Sequence, residues 1–216
     1  MKILTNPGQA AQCLLLGGIV IYPTATFFAL GCLAANENAA REIYRLKGRE
    51  GGKSLPILAG SMEQAQAAVN LDAAPPALLQ NFWPGPLAIL LPAKGLSGAA
   101  VNACGLAAIR VDGNPLAREL AILAGGALTA SSANLSGCPA PSQLAALDEN
   151  LLARLEKLGE RAAILAPDAP ETIPKGGLPS TIVELLPQKG NNVLKIVRAG
   201  ATSREALNAA GFVAIQ

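Results

Sequence analysis

From residue 3 to residue 36 the chain carries no Asp, Glu, Lys or Arg, but Pro7, Gly17-Gly18 and Pro23 cut this apolar stretch into short pieces. Asn6-Pro7 predicts a helix start with proline in the first turn, running to about Leu16. Gly18-Ile19-Val20-Ile21-Tyr22 predicts a buried strand that ends at a hydroxyl-rich turn, Pro23-Thr24-Ala25-Thr26. Asn36 predicts the cap of a second helix to about Leu46, with Ala39, Ile43 and Leu46 on one face. A bilayer span needs about 20 apolar residues in one helix. The interrupted pieces here are shorter, so neither a membrane segment nor an export signal is expected.

The same alternation continues downstream. Leu55–Leu58 predicts a short strand, and Ser61-Met62-Glu63-Gln64 reads as a capping box opening a helix. Pro75-Pro76 opens another helix, ending near Phe82, before a rigid Trp83-Pro84-Gly85-Pro86 turn. Strands are predicted over Leu87–Leu91, Leu106–Val111 and Ala127–Ala130, with a helix over Pro115–Leu123 between the last two. A helical stretch is expected over Ser142–Leu158. Strands follow near Ala163–Leu165, Ser180–Leu185 and Val193–Val197, and a closing helix over Ser203–Ala209. Short helices interleaved with short strands place the chain in the α/β (α+β) class. Residues 167 to 178 are rich in proline and glycine and carry Lys175-Gly176-Gly177, a loop long enough to suggest a role in function.

Composition narrows the chemistry. With 51% hydrophobic and 15% charged residues the chain builds a core and is not disordered. A net charge of +2 argues against strong global attraction to nucleic acid or membranes and leaves room for a local basic cleft. There is no histidine, which removes the commonest general base and the Ser/His and Cys/His nucleophile pairs. Cys13, Cys32, Cys104 and Cys138 show no CxxC spacing and are expected to be buried free thiols of a cytoplasmic protein.

Four constellations could carry chemistry. Lys47-Gly48-Arg49, with Lys53 close behind, follows the second helix. These cations either complement a helix C-terminus or clamp a phosphate. Thr129-Ala130-Ser131-Ser132-Ala133-Asn134, followed by Ser136-Gly137, is either a helix-capping turn or an anion nest. It is not a Walker A loop, because GxxxxGK[ST] is absent. The Pro23–Thr26 turn lies at a strand end, where open α/β sheets bind ligands. Arg110 interrupts the apolar run Ala107-Ala108-Ile109-Arg110-Val111 and needs an anionic partner, either a protein carboxylate or a ligand's. Lys175, Ser180-Thr181 and Arg198 invite the same question.

Taken in order, these segments resemble the YrdC-like family of threonylcarbamoyl-AMP synthases. The matching pieces are Gly18–Thr26, Leu30-Gly31-Cys32, Ile43–Arg49, Phe82–Leu87, Ala108–Val111, Ser132–Gly137, Ser180–Val183 and Val197–Gly200, within about residues 8 to 205. The resemblance implies one YrdC-like domain over residues 1 to 216, with a twisted mixed sheet, flanking helices and a large basic cavity. It implies condensation of L-threonine, bicarbonate and ATP to threonylcarbamoyl-AMP and pyrophosphate. Mg²⁺ would accompany ATP, with no organic cofactor and no protein metal site. Other proteins would carry the threonylcarbamoyl group to adenosine 37 of tRNA.

Carried over by residue, the resemblance makes Lys47 and Arg49 catalytic. Arg49, Lys53, Ser132, Asn134 and Arg198 bind ATP, and Thr26, Arg110, Ala130 and Ser180 bind threonine. The chain departs from the family's usual residues at Ala25 (acidic), Phe28-Ala29 (Tyr-Gly), Glu50 (Pro), Leu58 (polar, often His) and Ser131 (Pro). These changes concentrate on the acceptor side. Two alternatives stand beside this reading: a double-stranded RNA-binding module, and a paralogous carbamoyl-adenylate enzyme with another acceptor.

Overall fold

The structure, a computed structural model, describes residues 1–48, 53–189 and 192–216. In chain order its first half contains β1 (Lys2–Leu4), α1 (Pro7–Leu15), β2 (Ile19–Pro23), β3 (Phe28–Gly31), α2 (Glu37–Leu46), β4 (Ile57–Ala59), α3 (Met62–Ala68), α4 (Pro76–Phe82) and β5 (Leu87–Pro92). The second half contains β6 (Leu106–Val111), α5 (Pro115–Leu123), β7 (Leu128–Thr129), β8 (Ser131–Ser132), α6 (Glu149–Glu156), β9 (Ala162–Leu165), β10 (Thr181–Leu185), β11 (Val193–Arg198), α7 (Arg204–Ala209) and β12 (Val213–Ile215).

The α/β class holds, and the strands divide between two mixed sheets. One has five strands in the order β1-β9-β2-β3-β8, the other seven in the order β12-β11-β10-β5-β6-β4-β7. Parallel and antiparallel neighbours alternate across the larger sheet. No helix among the described residues is long and apolar enough to cross a membrane.

Side-chain alternation builds three apolar layers. In β2, Val20 and Tyr22 join the layer under α1 and α5, while Ile19 and Ile21 join the layer under α2 and α6. Burial on both faces explains why β2 reads as a continuous apolar run. In β6, Ala107, Ile109 and Val111 pack with Leu78 of α4 and Leu207 of α7. The alternate residues Ala108 and Arg110 therefore point to the opposite face, and both line a cavity.

Local signals set most helix ends. Asn6 Oδ1 accepts from Gly8 N at 2.8 Å, Asn36 Oδ1 from Ala39 N at 3.0 Å, and Asn114 Oδ1 from Leu116 N at 3.0 Å. Ser61 caps α3 through Gln64 N, but Gln64 Oε1 accepts from Gly60 N, so the expected box closes one residue earlier. The helix expected over Ser142–Leu158 is instead a 3-10 turn at Leu144–Ala146 followed by α6. Asp148 accepts from Leu151 N at 2.9 Å and starts the helix there. The sequence pattern does not reveal β1, β3 and β12, because segments of three or four residues are too short to carry a period. Cys13 and Cys32 are buried as expected, whereas Cys104 and Cys138 lie exposed in loops.

The strand expected over Ala127–Ala130 shows the largest difference. β7 ends at Thr129 on the edge of the larger sheet, and β8 begins at Ser131 on the edge of the smaller one. The chain thus passes between sheets at Ala130. Gly31 makes the passage fit: a Cβ there would lie 2.0 Å from the Thr129 carbonyl oxygen and 2.8 Å from the Tyr22 ring. Gly31→Ala is expected to lower unfolding free energy by about 1–3 kcal/mol, the usual range for overpacking, as measured by denaturant titration. An unchanged midpoint would contradict this account of the crossing.

Candidate active site

A cavity of about 710 Å³ opens where the chain crosses between the sheets. The smaller sheet contributes Phe28 and Ala29 of β3 and Ser131 and Ser132 of β8. The larger sheet contributes Leu90 of β5, Ala108 and Arg110 of β6, Ile182 of β10, and Val197 and Arg198 of β11. Thr24 and Thr26 of the turn after β2, Lys47 at the end of α2, Lys53 and Ser54 complete the cationic and hydroxyl parts of the wall. Among the described residues, no Asp or Glu lines it.

At one end Lys47 pins the loop that follows β8. The residue is 4% exposed. The ammonium donates to Ser132 O, to Asn134 O at 2.7 Å and to Asn134 Oδ1 at 3.3 Å. The Lys47 carbonyl in turn accepts from Ser136 N at 3.1 Å. Ser132 Oγ donates to Asn134 Oδ1, and Asn134 Nδ2 to the Cys138 carbonyl. The loop is therefore a closed network around one cation. Lys47 lines the cavity itself and orders the Ser132, Asn134, Ser136 and Gly137 positions beside it. Lys53 is exposed at the mouth, and its carbonyl accepts from the Tyr44 hydroxyl at 2.9 Å.

The other end is built on arginine. Arg110, 4% exposed, donates from Nε to Asp112 Oδ2 at 2.6 Å. Asp112 Oδ1 accepts from Ala25 N at 2.8 Å and Asn114 N at 2.9 Å. Arg198 donates from Nε and Nη2 to the Ser180 carbonyl, at 3.0 and 2.6 Å. Loss of bulk water, with Arg110's charge adding to it, lowers the Arg198 pKa to about 10. The residue keeps an exposed surface, so this shift reflects crowding around the guanidinium and not sealing of the side chain. It remains a cation at neutral pH.

The Pro23–Thr26 turn is held from both sides. Thr24 Oγ1 donates to Phe27 O at 2.7 Å, and the 167–178 loop straps across, Gly176 N donating to Thr26 O at 2.7 Å. Gly176 has φ +71°, which lets the strap turn beside Ser142. The Thr26 and Ser180 hydroxyls make no hydrogen bond among the described residues, and both residues line the cavity. The Cys32 thiol is pushed up to about 11 by burial, so it stays protonated and is no nucleophile at neutral pH.

The cavity gathers Lys47, Lys53, Ser132, Asn134 and Arg198 with Thr26, Arg110, Ala130 and Ser180. Arg49, expected beside them, lies outside the described residues, as does Glu50. Of the two partners open to Arg110 in the sequence, the protein carboxylate is present, as Asp112. Of the departures on the acceptor side, Phe28, Ala29 and Ser131 reach the wall. Leu58 does not: it is fully buried, in register with Arg110 on β4, and packs under α5. Ala25 meets Asp112 through its backbone only. Sequence reasoning missed Asp112, although an acid two positions past a buried arginine shares its side of an extended chain and was the signal available.

The Sua5/YciO/YrdC family model, described as telomere recombination, matches residues 12–200. A threonylcarbamoyl-AMP synthase of Xanthomonas euvesicatoria is 33% identical over 166 residues, 74% of this chain and 88% of that protein. One from Methylococcus capsulatus is 38% identical over 130 residues, 59% of this chain and 70% of that protein. The crystal structure of P. abyssi Sua5 complexed with L-threonine superposes with a TM-score of 0.80 at 26% identity, covering 94% of this chain and 56% of that one. This chain thus spans little more than half of the Sua5 chain.

The Lys47 network makes a direct prediction. Lys47→Met should speed hydrogen exchange of the Asn134 and Ser136 amides by about tenfold or more, the order expected when charge-assisted hydrogen bonds are lost. Exchange in β6 should change little. A uniform change across both regions would show that Lys47 serves the fold at large and not this loop.

Proposed function

The chain belongs to the Sua5/YciO/YrdC family, and from that premise we propose that it condenses L-threonine, bicarbonate and ATP into threonylcarbamoyl-AMP and pyrophosphate. One observation carries the reading: the loop pinned by Lys47 and the Arg110–Arg198–Ser180 cluster face the same cavity of about 710 Å³. That volume falls within the usual range for small-molecule sites. The cavity has room for two anionic ligands to meet and cationic groups at both ends.

The proposed chemistry is positioning plus charge neutralisation. The threonine amine and bicarbonate combine to a carbamate with loss of water. A carbamate oxygen then bonds to the α-phosphorus as the bond to pyrophosphate breaks. The carbamate is already an anion, so this attack needs no side-chain base, which suits a chain without histidine. In this reading Ser132, Asn134 and Lys53 hold the triphosphate with Arg49. The Lys47 ammonium, held on the loop carbonyls, adds charge at this wall. Arg110 takes the threonine carboxylate, and Thr26 and Ser180 offer hydroxyls to its polar groups. Arg198, beside Ser180, reaches the nucleotide.

Mg²⁺ would enter with the nucleotide. The donors lining the loop end are the hydroxyls and amide of Ser132, Asn134 and Ser136, not carboxylates. Such a wall suits an ion held mainly by phosphate oxygens and water, where its charge would stabilise the leaving pyrophosphate. We place the activity in the cytoplasm. The product would pass to proteins that modify adenosine 37 of tRNA.

With ATP, bicarbonate, Mg²⁺ and threonine the protein should release pyrophosphate and form the mixed adenylate, seen by mass spectrometry. Arg110→Gln should raise the KM for threonine roughly 10- to 100-fold, the worth of a charged hydrogen bond, with the KM for ATP nearly unchanged. Arg49→Ala should instead weaken nucleotide binding. Turnover with a different amine but none with threonine would favour a paralogous enzyme. Salt-sensitive binding of double-stranded RNA without turnover would favour the RNA-binding reading.

A further inference from the structure

We infer that Asp112 is a positioning residue for the acceptor end of the cavity: it holds Arg110 by Nε, so that the two terminal nitrogens of the guanidinium are presented to the ligand. The inference rests on the function proposed above. Asp112 is 0% exposed and is not part of the cavity wall, so it acts through Arg110 and does not touch ligand.

The geometry divides the carboxylate into two tasks. Oδ2 takes the Arg110 Nε hydrogen at 2.6 Å. Oδ1 takes the Ala25 amide at 2.8 Å and the Asn114 amide at 2.9 Å. One group thereby locks together the end of β6, the turn carrying Thr24 and Thr26, and the cap of α5. A guanidinium is planar, and an anchored Nε fixes the plane while leaving the Nη1–Nη2 edge as a fork for a carboxylate. Among the described residues, Arg110 makes no hydrogen bond through Nη1 or Nη2.

Charge supports the same assignment. Arg110 and Arg198 both line this end, and the Arg110 charge adds to the crowding that lowers the Arg198 pKa. Asp112 offsets one of the two. The remaining single positive charge matches one ligand carboxylate, the group an α-amino acid brings.

Asp112→Asn tests this selectively. The amide oxygen can still accept from Ala25 N and Asn114 N, whereas the amide nitrogen sets a donor against the Arg110 Nε donor. The variant should raise the KM for threonine by about tenfold or more, leave the KM for ATP within about twofold, and still unfold cooperatively. Added to Arg110→Gln, it should cost little further, because both changes remove the same interaction. A purely structural residue would weaken both substrates alike, and its cost would add in full to that of Arg110→Gln; that result overturns the proposal. NMR of the wild-type protein decides the matter if the variant does not fold. The Arg110 Nε–Hε resonance, assigned by its loss in Arg110→Lys, should exchange slowly with water, and rapid exchange would overturn the assignment. Should the wild type form no adenylate from threonine, the proposed function fails while Nε–Hε protection still reports on the positioning contact.

Discussion

The chain crosses from one sheet to the other through Thr129, Ala130 and Ser131, and hydrogen bonds from both sheets fix that crossing at the cavity wall. Thr129 N donates to Cys32 O at 2.8 Å and Ala130 N to Pro56 O at 2.7 Å, while the Thr129 carbonyl accepts from the Tyr22 hydroxyl at 2.7 Å. Buried amides without partners would each cost about 1–3 kcal/mol. Gly31 admits this close approach. Beyond the crossing, the chain emerges as the loop that Lys47 binds, so this wall of the cavity follows directly from how the sheets are joined.

The opposite wall depends on a different constraint. A strand buried in a sheet has one face for the core and one for whatever lies beyond it. In β6 the core face takes Ala107, Ile109 and Val111, which leaves Arg110 on the cavity side. A guanidinium so nearly buried requires a carboxylate, and Asp112 supplies it at 2.6 Å. The same pairing ties the Pro23–Thr26 turn to the strand. The two ends of the cavity are thus organised by one buried lysine at the end of α2 and one buried ion pair at the end of β6.

Much of this was legible in the sequence, for physical reasons that can be named. Asn6-Pro7, Asn36 and Pro115 mark helix starts because proline and asparagine act locally, and β2 and β6 stand out as apolar runs. The residues brought together in the cavity were found by their order along the chain. The division into two sheets was not legible, because the break in the Ala127–Ala130 run depends on Cys32, Pro56 and Gly31, which are distant in sequence. Asp112 stood within reach of the sequence, two positions past Arg110, whereas its contact with the Ala25 backbone amide did not. Leu58 seemed part of the acceptor side and proved to be core, since a strand residue's face is settled only by its neighbours.

The central claim is that nucleotide phosphate and amino-acid carboxylate occupy opposite ends of one cavity. A crystal structure with threonylcarbamoyl-AMP bound tests it most directly. The account predicts the phosphate against the Ser132–Gly137 loop and the threonyl carboxylate on the Arg110 terminal nitrogens. A ligand bound in the reverse orientation, or outside this cavity, would contradict it.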